Sequence, residues 1–183
     1  MWGTSSADFY VVGNGGNIAH YNGSEWRKIE SGTISNIQSV CGIKNINGSY
    51  TKYFAADNSM LMLDSNNNLT KINVEQNMIL LSLWGKTNNL IYTAGNGVVL
   101  YKNKKWERIN NNYVDRIYKI KGHDYNDIYG IASGNVVMYF NGHNWKNLNT
   151  NNDNKFWDLS VGSSVIVAVG YFFEKAVITV FKK

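Results

Sequence analysis

The chain has 183 residues, 44% of them hydrophobic and 14% aromatic, which suffices for one folded domain with a core and excludes a disordered chain. The formal net charge is +5, but lysine and arginine are scattered, with the cluster from Lys102 to Lys105 the longest, so no nucleic-acid surface is expected. No apolar run reaches 18 residues, so no membrane insertion is expected; no signal peptide is seen, and the single Cys41 allows no internal disulfide.

In chain order the same four-part unit returns. The first unit opens at the end of a strand in Met1-Trp2-Gly3. It continues with a strand over 9–13, a turn Gly13-Asn14-Gly15-Gly16-Asn17, and a strand over 18–21. Next comes an Asn22-Gly23 hairpin turn and a strand opening at Trp26. The second unit repeats this with expected strands over 37–42, 53–56, 60–63 and from Leu69; the third over 79–85, 91–95, 98–101 and from Trp106. The fourth has a first strand ending at Gly122, then strands over 128–132, 136–140 and from Trp145. The fifth has strands over 165–170 and 176–181 and stops before a fourth strand.

Three markers carry the period. The glycine is Gly3, Gly42, Gly85, Gly122 and Gly162, at spacings of 39, 43, 37 and 40. The start of the fourth strand is Trp26, Leu69, Trp106 and Trp145. The residue before the hairpin is Tyr21, Asp64, Tyr101, Phe140 and Phe181. Four short strands per unit of about forty residues, with no sustained helical periodicity, define an all-β chain folded as a β-propeller. About five four-stranded antiparallel blades are expected, the last incomplete. The units run over 1–34, 35–77, 78–113, 114–154 and 155–183 of a single domain. The repeat glycines and the small residues of the second strands are read as a response to crowding near the axis, and the tryptophans as core. The chain is expected to lack one fourth strand and most of one first strand. Closure by a missing extension, membership of a longer array, or pairing with a second copy through open strand edges are all compatible with that.

Residues 2–26, from Trp2-Gly3-Thr4-Ser5-Ser6-Ala7-Asp8 through His20-Tyr21-Asn22-Gly23-Ser24-Glu25-Trp26, resemble the repeat of bacterial secreted and surface propellers. These are the BNR-type propellers and those like photosystem II assembly factors. The resemblance implies a propeller outside the cytoplasm (secreted, periplasmic or on the cell surface) that binds rather than catalyses. It supplies no catalytic residue. The Asp-box turn of sialidases is not kept: Tyr21 and Phe140 stand where its aspartate would be, and only Asp64 offers one.

Catalytic chemistry has little to work with. Of three arginines, Arg27 and Arg108 fall in outer strands and only Arg116 near the axis, too few for a carboxylate-binding cluster. His123-Asp124-Tyr125-Asn126-Asp127 has metal-ligand residue types, but the same residues make an ordinary turn, so no metal or other cofactor is expected. The glycines of 13–17 lead into a strand and so do not form a phosphate loop.

A ligand, protein or glycan, is expected on the face bearing the loops between second and third strands and between successive blades. Those loops hold Asn14, Asn17, Asn36, Asp57, Asn58, Asn96, Asn111, Tyr113, Asn151, Asp153 and Phe173. The run Tyr171-Phe172-Phe173 cannot turn all three rings to the core, because side chains alternate along a strand. A binding propeller is the expectation. Its rivals are a glycosidase- or lyase-like propeller enzyme and an assembly module that uses its incomplete blade.

Overall fold

The structure, a computed structural model, describes residues 1–74, 78–109, 116–148 and 153–183. Blade 1 comprises β1 (Trp2–Ser5), β2 (Asp8–Val12), β3 (Ile18–Tyr21) and β4 (Trp26–Ile29). Blade 2 has β5 (Ile37–Lys44), β6 (Tyr50–Ala56), β7 (Ser59–Leu63) and β8 (Leu69–Asn73). Blade 3 has β9 (Leu80–Thr87), β10 (Leu90–Gly95), β11 (Gly97–Lys102) and β12 (Lys105–Ile109). Blade 4 has β13 (Ile117–Asp124), β14 (Asp127–Ala132), β15 (Val136–Phe140) and β16 (Trp145–Leu148). Blade 5 has three strands, β17 (Lys155–Val161), β18 (Val165–Phe172) and β19 (Lys175–Lys182). Each blade is an antiparallel meander in sequence order, so the chain is a β-propeller arc of five blades whose last lacks its outer strand.

The hairpins close as Asn and Gly dictate. The Asn22 side-chain oxygen accepts from the backbone N–H of Ser24 and Glu25, and Asn141 does the same for His143 and Asn144. Gly23 and Gly142 take the positive φ, 96° and 93°, that the turn requires. In blade 2 the capping oxygen belongs to Asp64, which accepts from the N–H of Asn66 and Asn68. The strand register makes Leu63, opposite Leu69, the true counterpart of Tyr21, opposite Trp26. Asp64 therefore belongs to the turn, one residue beyond the position the repeat markers assigned to it.

The first strands run past the repeat glycine, to Lys44, Thr87 and Asp124. The glycine does not end the strand; it receives a side chain from the preceding blade. A Cβ on Gly42 would lie 2.1 Å from the Trp2 indole, one on Gly122 2.9 Å from that of Trp84, and one on Gly85 2.8 Å from Ile43. Packing between blades, rather than crowding at the axis, demands these glycines.

Side chains alternate across each strand, so every blade has a leading and a trailing face. The core consists of four buried clusters, each formed by the trailing face of one blade and the leading face of the next, from blades 1 and 2 through blades 4 and 5. In the third cluster Trp84, Tyr92, Val98 and Leu100 of blade 3 meet Ile117, Ile128, Phe140 and Trp145 of blade 4. Among the described residues no such cluster joins blade 5 to blade 1. Trp26 is accordingly 54% exposed, where its counterpart Trp145 is 4% exposed. The expectation that all these tryptophans are core fails at Trp26 of blade 1.

Candidate binding site at the channel mouth

The first strands β5, β9, β13 and β17 touch in succession and form the inner wall. Near the start of each, one residue is left out of the pairing register with the second strand. Ile37 pairs with Ala56 and Ser39 with Ala55, leaving Gln38 extra; Leu80 and Ser82 flank an extra Leu81. Ile117 and Lys119 flank Tyr118, and Phe156 and Asp158 flank Trp157. The four positions are separated by 43, 37 and 39 residues, the period of the repeat itself. A β-bulge inserts one residue and re-aims its side chain. Here the same bulge, made four times, lets Ile37, Leu80, Ile117 and Phe156 stay buried between blades while the next residue lines the cavity.

Gln38, Leu81, Tyr118 and Trp157 line a cavity of about 590 Å³, together with Lys119, Asn135, Lys155, Phe156 and Tyr171. Trp157 is 65% exposed, with its indole stacked on Tyr171 at 6.1 Å between ring centroids and 19° between planes. The Lys155 ammonium sits 5.5 Å from the centre of the Tyr171 ring, in reach of its π face. Lys121 is two residues further down β13, close enough to favour the thiolate of Cys41 in blade 2. Burial dominates at that thiol and pushes its pKa up to about 12, so Cys41 is no nucleophile at neutral pH. The described lining thus combines an aromatic shelf, two amides and lysines, and it contains no carboxylate or imidazole.

The mouth lies on the face that carries the loops between second and third strands, through Asn135. The site residues expected from sequence distribute around it differently. Asn14, Asn17 and Asn36 come together, but to brace one another: Asn36 accepts from the N–H of Gly15, and the Asn17 amide donates to the Asn14 carbonyl at 2.7 Å. Asn96 accepts from the N–H of Ile79, and the Asp57 carbonyl from that of Leu80. Asn58 is exposed beside Asp57, and Asp153 is exposed just before β17. Phe173 is 78% exposed at the β18–β19 turn, against Phe172 and away from the stack of Tyr171 on Trp157. Asn111, Tyr113 and Asn151 lie outside the described residues. In the His123 segment the two carboxylates diverge, Asp124 to Lys86 and Asp127 to Lys183. No group of three metal-ligating residues forms among the described residues.

The class of fold is that of a β-propeller built of four-stranded blades. Solved propellers that resemble it include YCF48 bound to D1 peptide, at 11% identity and a TM-score of 0.71, with 98% of this chain covering 62% of that one. Virginiamycin B lyase from Staphylococcus aureus is similar at 9% identity and 0.68, with 92% of this chain covering 64% of that one. The Neurospora crassa Pan2 WD40 domain is similar at 14% identity and 0.70, with all of this chain covering 61% of that one. The chain thus spans about three fifths of the length of each. No protein-family model and no curated protein matches it.

Proposed function

We propose that this is a non-catalytic binding propeller that takes an acidic protein segment at the channel mouth. The four repeated bulges carry this reading, because they spend the same irregularity in four blades on presenting Gln38, Leu81, Tyr118 and Trp157 to one cavity. Trp157 on Tyr171 offers a rigid aromatic face, the kind of anchor that dominates binding energy at protein interfaces. Lys119 and Lys155 favour a carboxylate beside it. The likeness in fold to a propeller solved with a peptide supports the choice of a peptide over a sugar. The resemblance of residues 2–26 to secreted propellers supports a site of action outside the cytoplasm. The lyase of similar fold is the ground for an enzymatic reading, but the described lining supplies no acid–base pair for one.

The test is a screen of the chain against peptide and glycan arrays, followed by titration of the peptides retained. Acidic peptides with an apolar or aromatic neighbour are expected to bind. Trp157→Ala should weaken them at least tenfold, about 1.4 kcal/mol. Because Trp157 is exposed, that substitution should leave stability within about 1 kcal/mol. Lys155→Ala should cost less and flatten the salt dependence. Binding that survives Trp157→Ala and Tyr118→Ala, or retention of glycans alone, would contradict the proposal.

A further inference from the structure

The two faces that end the arc are the two halves of one interface. In every blade the trailing face carries a fixed pair on the second strand and a fixed pair opposite on the third. In blade 3 these are Tyr92 and Ala94 with Leu100 and Val98; in blade 4 they are Tyr129 and Ile131 with Tyr139 and Val137. All eight pack against the following blade. The register puts Val167 and Val169, with Val180 and Ile178 opposite, at the same positions in blade 5. That face remains wholly apolar at these four sites, yet Ile178 is 71% exposed and Val180 is exposed beside it.

The leading face of blade 1 shows the complement. Tyr21 and Trp26 occupy the positions of Tyr101 and Trp106, and of Phe140 and Trp145, which pack on the preceding blade. The Trp106 indole N–H donates across that joint to the Asn73 carbonyl at 3.0 Å. In blade 1 the rings of Phe9, Tyr21 and Trp26 cluster at 5.2–5.3 Å on one another, and Trp26 stays open. Gly3 keeps the repeat glycine, but with no side chain of a preceding blade over it: the nearest atoms to a Cβ there are its own blade's Asp8 and Phe9. A free end of a repeat array is normally polar on its outer face. Both ends retain the apolar side chains of a covered joint, with Asp158 and Ser160 beside Val169 and Val167 on the blade 5 face.

We propose that the occupant of both faces is a polypeptide segment of about two further blades of this same repeat, bridging blade 5 to blade 1 and closing the ring. The width of the gap follows from the similar propellers: five units fill about three fifths of their length, which leaves room for about two or three more. A second copy of the chain joined head to tail would place five blades in that gap and overrun the circle, so a short segment is the better fit.

The probe is the chain itself extended at its front by its own residues 78–159, with Leu159 replacing Met1. This adds two blades in register and completes the first strand of blade 1. Hydroxyl-radical footprinting and light scattering are run on both proteins. The extended chain is expected to be a monomer in which labelling of Trp26, Ile178 and Val180 falls at least fivefold relative to the original, with a higher Tm. An extended chain that folds without that protection overturns the proposal, as does one whose added residues are digested by protease at the rate of an unfolded chain. The original chain is decisive alone as well. If its Trp26 and Ile178 are already protected at low concentration, the two faces meet each other; if protection grows with concentration and mass, a second copy is the occupant. Either result overturns the two-blade segment.

Discussion

Gly122 lies under the Trp84 indole with no room for a methyl group, since three ring atoms would sit 2.9 Å from a new Cβ. Gly122→Ala should therefore cost about 1–3 kcal/mol in denaturant unfolding, through forced displacement of a large ring. Gly85→Ala should cost less, because the atom met is the tip of the flexible Ile43 side chain. Gly13→Ala should be close to neutral: nothing lies within 4 Å of its Cβ, and its φ of −168° is extended backbone. The sequence shows all of these glycines equally well, and the period they set holds through Gly122; in blade 5 the register puts Val161, opposite Ile166, at that place, one residue before Gly162. What their spacing does not show is which contact each one serves, because the indole over Gly122 comes from a blade 38 residues earlier. Reading the glycines as strand ends shortened the first strands by two residues for that reason.

At the scale of the strand and the blade, local chemistry was the reliable guide. Asn22-Gly23 and Asn141-Gly142 specify their hairpins by a side-chain cap and a positive φ, both of which are local. The bulges at Gln38, Leu81, Tyr118 and Trp157 were not legible in the same way. An extra residue in one strand leaves the apolar alternation nearly intact and shows only in the partner's register, which no single strand contains. Trp157 was accordingly missed as a site residue, while Asn14, Asn17 and Asn36, chosen for their loop position, serve to hold their loop together. The Trp of the fourth strand makes the point quantitatively. Trp145→Ala empties a buried joint between two blades and should cost about 3–5 kcal/mol. Trp26→Ala, at the equivalent position, should cost under about 1 kcal/mol in the isolated chain, as for a surface site. Thermal unfolding of the two variants checks this. Equal losses would mean that Trp26 is covered.

Across the whole molecule, stability is carried by nearest-neighbour joints, as in any stacked repeat. Four joints are filled, and the two half-joints at the ends are not. The channel mouth depends on the same arrangement, because the four bulged residues converge only while blades 2 to 5 hold their angular step. The claim on which both proposals stand is that these five blades form an open arc. Hydroxyl-radical footprinting of the isolated chain at low concentration tests it most directly. Strong labelling of Trp26, Trp157 and Ile178, with Trp145, Tyr53 and Phe54 protected, is the pattern the open arc predicts. Protection of Trp26 and Ile178 to the level of Trp145 would mean that blade 5 packs on blade 1 in a closed five-blade ring, and would contradict it.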